Sequence, residues 1–164
     1  MSGCVLAIDP GPEESALVSL DGARVCAFMH GNEDMVKFLR MLPPEDTLVI
    51  ERVEGFGMPV GREVFETVWW SGRFAQVWRD VSGVEAERLG RRDVKLHLCG
   101  TCRAKDGNVR QALIDRFGPG KEAAIGKKKT PGPLYGVSGD AWAALAVAVT
   151  WADRLKRGLV AVPA

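Results

Sequence analysis

The chain has 164 residues, 46% of them hydrophobic and 26% charged, and a formal net charge of +1. That length suits one domain, spanning 1–164, with a real core, and the composition excludes a disordered or fibrous chain. No apolar run reaches the about eighteen residues of a membrane span and nothing resembles a signal peptide, so a cytosolic protein without a membrane partner is expected.

The first predicted elements are strands. Residues 4–9 (CVLAID) form a buried strand, and residues 15–20 (SALVSL) and 24–29 (RVCAFM) form two more. Asp21-Gly22 between them is a hairpin signal. Residues 33–42 suit a helix that stops at Pro43-Pro44. Residues 47–51 (TLVIE) are a short apolar strand ending in an acid. A long helix follows over 61–80, with Val64, Phe65, Val68, Trp69, Phe74 and Val77 on its apolar face. Residues 83–88 suit a strand, and 91–98 and 106–117 suit two helices. Residues 118–137, rich in Gly, Pro and Lys, are expected to form a mobile loop. A last helix over 139–156 is apolar nearly all round from Ala141 to Ala152, which predicts burial against a sheet. Five strands among helices give an α/β domain with a mixed sheet.

The small net charge conceals a division. Residues 1–87 carry 7 Lys/Arg against 15 Asp/Glu, a net of −8, while residues 88–130 carry 12 against 4, a net of +8. Such asymmetry suits a polyanion on one face and cations on another, although two solvated charge runs would also produce it. Cys99 and Cys102 form a C-x-x-C near His97, but no fourth ligand follows at metal-binding spacing. The four cysteines are therefore read as free thiols. His30 and His97 have no evident partner and are given surface or local hydrogen-bonding roles.

Three acids sit at the ends of elements. Asp9 and Glu51 each close an apolar strand, and Asp140 opens the last helix. If the two strands are neighbours, both carboxylates project from one edge of the sheet. Each acid alone has a plainer reading: Asp9 as a turn residue before Pro10-Gly11, Glu51 as a strand end, Asp140 as a helix N-cap beside Ser138. Together they would repel one another unless protonated or bridged by a cation, and hard Mg²⁺ or Mn²⁺ prefers such oxygen ligands.

Four stretches, "AIDPG", "VIERVEGFG", "VKLHLCGTCRAKDGNVRQAL" and "DAWAALAVAV", occur in the order and spacing of RuvC-type Holliday-junction resolvases. Over residues 4–153 the sequence resembles that family, above all its short phage members. The resemblance implies a ribonuclease-H-like fold, a mixed five-stranded sheet flanked by helices. It implies a homodimer, in the cytoplasm of a bacterium or a phage-infected host, that cuts four-way DNA junctions. Cleavage would use Mg²⁺ or Mn²⁺, two ions per active site, and leave 5′-phosphate ends.

The resemblance also assigns residues. Asp9 matches the aspartate that bridges two metals, Glu51 the fourth-strand glutamate, and Asp140 an acid opening the last helix. The family places two metal-binding residues three apart on that helix, but Val137 and Ala143 stand three before and three after Asp140. Glu54 is either a substitute for the missing fourth ligand or a surface charge, and a water is the other candidate for that place. Lys105 lies one position before the lysine of the family's G-x-x-x-A-x-K stretch, so it and Arg103 either reach phosphate or are solvated loop charges. Lys127, Lys128 and Lys129 are read as DNA backbone contacts. Phe56, between Gly55 and Gly57, is a base-stacking residue or a core anchor. Trp69, Trp70 and Trp78 are assigned to the dimer interface on the long helix.

Three rival readings stand beside this one. An actin-like sugar kinase or ATPase shares the Asp-x-Gly turn but needs a second phosphate loop and a longer chain. A ribonuclease H acting on RNA–DNA hybrids shares the acidic site. A junction-binding module without catalysis would suit the missing fourth acid.

Overall fold

Alternation along the strands decides the layering. In β1 (Val5–Asp9) the side chains of Val5 and Ala7 project to one face of the sheet, and those of Leu6 and Ile8 to the other. The computed structural model describes residues 3–161. After β1 come β2 (Glu14–Asp21), β3 (Arg24–Gly31), α1 (Asn32–Leu39) and β4 (Thr47–Arg52). The order continues with α2 (Arg62–Ser82), β5 (Glu87–Gly90), α3 (Arg91–Cys99) and α4 (Asp106–Phe117). The chain ends with α5 (Lys121–Ala124), β6 (Gly126–Lys127), β7 (Thr130–Pro131) and α6 (Ala141–Lys156).

The five-stranded sheet has the order β3-β2-β1-β4-β5. β1, β2 and β3 form an antiparallel meander, while β1, β4 and β5 run parallel. Leu6, Ile8, Leu17, Leu48 and Ile50 bury one face against α1 and α2, through Met35, Leu39, Phe74 and Trp78. Val5, Ala7, Ala16, Val18 and Val49 bury the other against α6, with α3 and α4 beside it. The all-round apolar run of α6 follows from this central place: Ala144 to Trp151 are all buried. The result is the mixed, helix-flanked sheet expected from sequence. None of the described helices is long and apolar enough to cross a membrane.

Local chemistry moves several boundaries. The hairpin loop between β2 and β3 is Gly22-Ala23, one residue beyond the predicted dipeptide; Gly22 takes φ +58°. α2 continues to Ser82 and stops at Gly83, whose left-handed φ of 76° lets its N–H reach the Arg79 carbonyl at 2.8 Å. The strand expected at 83–88 is therefore displaced to 87–90.

The buried face of α2 is rotated from the one expected. Thr67, Phe74, Val77 and Trp78 face the sheet, while Phe65, Val68 and Trp69 are exposed. Trp78, assigned to a dimer interface, is 1% exposed and belongs to the core. Its spacing of four from Phe74 places it on the inward stripe.

Residues 118–137 are not a loose loop. They hold α5 and the β6–β7 hairpin, and Ala124 and Leu134 are fully buried against the α6 side of the core. The glycines make this packing possible. A Cβ on Gly132 would stand 2.4 Å from the Ala123 carbonyl oxygen, and one on Gly118 would stand 2.8 Å from the Ala124 nitrogen. What composition marks as flexible is close backbone approach.

Candidate active site

In β1 and β4, which run parallel, Ile8 pairs with Ile50. Asp9 and Glu51 follow directly, so both carboxylates leave the sheet at the same carboxyl edge, where open α/β sheets bind ligands. The turn behind Asp9 is pinned. Ser15 Oγ donates to Asn32 Oδ1 at 2.6 Å, Asn32 Nδ2 donates to the Gly11 carbonyl at 2.9 Å, and the Gly11 N–H donates to Ser15 Oγ at 3.1 Å. Gly11 has no substitute here, because a Cβ would lie 2.3 Å from the Glu14 carbonyl oxygen.

α6 brings its N-terminus to this edge. Asp140 is its N-cap, yet its side chain makes no capping hydrogen bond. It lines a cavity of about 160 Å³ together with Asp9, Glu51, Arg91, Lys95 and Asp106. The three acids singled out in the sequence thus meet in one cavity, and the N-cap reading of Asp140 fails on its own geometry.

Electrostatics mark the cavity as unusual. Burial, then the charges of Glu51 and Asp140, push the Asp9 carboxyl up to about 7. Burial also raises Glu51, against the opposing pull of Arg91. Arg91 Nη1 donates to Glu51 Oε1 at 3.2 Å, and its Nη2 donates to Asp106 Oδ1 at 2.7 Å. Lys95 Nζ stands 3.4 Å from the same Asp106 oxygen. Asp106 is held low by its hydrogen bond from Arg91.

Sequence reasoning missed Arg91, Lys95 and Asp106. Their signal is topological. β5 lies parallel beside β4, so the residue after its last strand position, Arg91, emerges at the same edge as Glu51. Lys95 is one turn further on the same helix face, and Asp106 opens α4. Asp106 also occupies the position at which the G-x-x-x-A-x-K pattern has its lysine.

The donors suit a hard cation: they are oxygens, and burial together with like charge raises Asp9, a cost that a bound cation would relieve. As they stand, no three acid, His or Cys groups among the described residues converge closely enough to enclose an ion. Glu54 pairs with Arg52 at 3.2 Å and leans over Gly90, yet it also lines a neighbouring depression that contains Asp9 and Glu51.

No protein-family model matches the chain, and no curated protein matches it. Among solved structures, Thermus thermophilus RuvC matches with a TM-score of 0.64 at 21% identity, over 98% of this chain and 99% of that one. T. thermophilus RuvC in complex with Holliday junction substrate matches with a TM-score of 0.61 at 20% identity, over 98% of each chain. This chain has the RuvC fold.

Around that RuvC-like frame the other expected residues take varied places. Phe56 is exposed, under the Arg92 guanidinium 5.6 Å from its ring centroid, so it is no core anchor. It lines a second depression that shares Asp9 and Glu51 with the first. Arg103 and Lys105 are exposed near the turn before α4, and Lys127, Lys128 and Lys129 are exposed on the β6–β7 hairpin. None of these five lines the acidic cavity; its basic residues are Arg91, Lys95 and Arg110, the last stacked 4.7 Å from the Trp142 ring. His97, expected at the surface or in a local hydrogen bond, meets a partner far along the chain. Its Nε2 lies 2.8 Å from Asp153 Oδ2, and Arg116 pairs with the same carboxylate.

Proposed function

We propose that this chain is a metal-dependent endonuclease that resolves four-way DNA junctions and leaves 5′-phosphate ends. The observation that carries it is the meeting of Asp9, Glu51 and Asp140 at one sheet edge, within a fold matched end to end by RuvC. Asp9, Glu51 and Asp140 would hold Mg²⁺ or Mn²⁺, two ions per site. When bound, these supply an acidified water for attack and positive charge at the leaving oxygen.

The protein's own groups do the rest. Arg91, Lys95 and Arg110 set positive charge around the acids and draw a phosphate to them. Phe56, exposed at the rim, offers a stacking surface for a base. Arg103, Lys105 and Lys127–Lys129 hold the DNA backbone further out, giving affinity without reading sequence. The exposed stripe of Phe65, Val68 and Trp69 pairs two chains, so that two sites face two equivalent strands of the junction.

The test is incubation with a synthetic four-way junction and Mg²⁺ or Mn²⁺. Wild type should give paired nicks with 5′-phosphates. Asp9→Asn, Glu51→Gln and Asp140→Asn should each abolish cutting and keep junction binding, because binding rests on Lys and Arg contacts. A variant that cuts at the wild-type rate removes that residue from the site. Cleavage of RNA–DNA hybrids in place of junctions would move the activity to the ribonuclease H class.

A further inference from the structure

The cavity already contains a cation of the chain's own. Arg91 stands between two carboxylates, 3.2 Å from Glu51 and 2.7 Å from Asp106. The two ends of this bridge differ. The Glu51 side chain is 13% exposed and the Asp106 side chain 73% exposed. An ion pair open to solvent adds little stability, so the Asp106 end breaks at small cost. The cavity is also electrically two-sided. Its ion pairs, those of Arg91 and Lys95, fall on Glu51 and Asp106, while Asp9 and Asp140 form none with the described residues.

We propose that Arg91 gates metal occupancy: it holds the Glu51 side of the cavity against a second divalent cation until a DNA phosphate draws the guanidinium away. The proposal rests on reading the cavity as a metal-dependent nuclease site. A guanidinium at hydrogen-bond distance takes up a carboxylate lone pair and repels any cation that would use it. A phosphate presents the same paired oxygens as a carboxylate, so it competes for the planar fork of Arg91 on equal geometry. Once Arg91 turns to phosphate, Glu51 loses its partner and Asp106 keeps only Lys95, 3.4 Å away at the exposed end of the bridge. Asp106 then becomes available as the fourth oxygen group that the last helix does not supply. Metal and DNA binding are therefore coupled, each strengthening the other.

Binding of Mn²⁺ without DNA tests this, with the free ion followed by electron paramagnetic resonance and the heat by calorimetry. Wild type should take one ion readily and a second only weakly. Arg91→Gln should bind the second roughly tenfold or more tightly, a modest allowance for the repulsion removed. Arg91→Lys, which keeps the charge but loses the two-pronged bridge, should fall between them. If Arg91→Gln fails to fold, the comparison of Arg91→Lys with wild type stands in its place. Superimposed binding curves overturn the gate and leave the nuclease reading intact. Absence of Mn²⁺ binding in wild type and variants alike overturns both, and Asp9→Asn, expected to lose the first ion, marks which carboxylates the ion uses.

Discussion

Asp9 is ionised at a cost that the fold alone does not relieve. Its carboxyl is raised from 3.8 to about 7 by burial and by Glu51 and Asp140. A raised carboxyl binds its proton more tightly in the folded state than in the unfolded one. Without divalent cation, stability is therefore greatest below the unfolded value and falls as pH rises through the folded one. Asp9→Asn removes that penalty. At pH 8 and with metal chelated, it should be more stable than wild type by roughly 2–4 kcal/mol, and the difference should vanish near pH 4. Urea denaturation at the two pH values measures this; a pH-independent difference would mean that Asp9 titrates normally. Ala143 offers a complementary change. It lines the cavity three residues after Asp140, near the N-terminus of α6 where an added carboxylate is favoured. Ala143→Asp should lower the Mg²⁺ concentration needed for half-maximal cleavage, and coincident titrations would show that another group already fills that place. Asp9 and Glu51 were legible because an acid closing an apolar run contradicts its surroundings, and Asp140 because it opens an apolar helix. Arg91 and Asp106 were not, because an Arg or Asp at a helix start is unremarkable until the sheet order is known.

At the scale of elements, the first four strands and the last helix were read to within about two residues because periodicity and burial agreed in them. In α2 they did not. An amphipathic pattern with apolar residues on more than one face leaves the inward stripe undetermined, and Phe65, Val68 and Trp69 proved to face outward. The segment 118–137 failed for another reason: glycine serves flexible loops and tight backbone packing alike, and only neighbours distinguish the two. A further link invisible in sequence ties α3, α4 and α6 together. His97 from α3 and Arg116 from α4 both meet Asp153 on α6, whose side chain is 9% exposed. Burial works to raise the Asp153 carboxyl, but the hydrogen bonds from His97 and Arg116 outweigh it and hold the group low. A depressed carboxyl contributes stability above its unfolded value and loses it as pH falls through the folded one. Asp153→Asn should thus destabilise the protein by about 2–4 kcal/mol at pH 7, leaving Arg116 and His97 without their anion. The loss should shrink in acid, below pH 4. Equal destabilisation at both pH values would reduce Asp153 to a packing residue.

At the scale of the molecule, the division of charge found in the sequence becomes a division of surfaces. The basic stretch from 88 to 130 forms α3, α4 and the hairpin, on the same face of the sheet as α6. The acidic stretch contributes α1 and α2 on the opposite face. On that second face α2 carries an apolar stripe that no other described element covers: Phe65, Val68 and Trp69 are 64%, 50% and 56% exposed, at spacings of three and four. Arg73 stacks on Trp69 and on Trp70, at 4.9 and 4.6 Å, and Trp70 leans inward on Phe74. Aromatic and Arg side chains gathered on an exposed helix face are the composition of an interface core. A second copy of the chain is the occupant that the proposed activity requires, because symmetric cutting of a junction needs two sites related by a two-fold axis. Wild type should therefore be a dimer at micromolar concentration by light scattering. Trp69→Arg places a buried charge against its own symmetry mate and should yield monomers that remain folded, since Trp69 lies outside the core. Those monomers should nick junctions singly, with paired nicks lost more strongly than total cutting. A wild-type chain that scatters as a monomer would contradict the dimer, and a Trp69→Arg chain that stays dimeric would place the two-fold axis elsewhere.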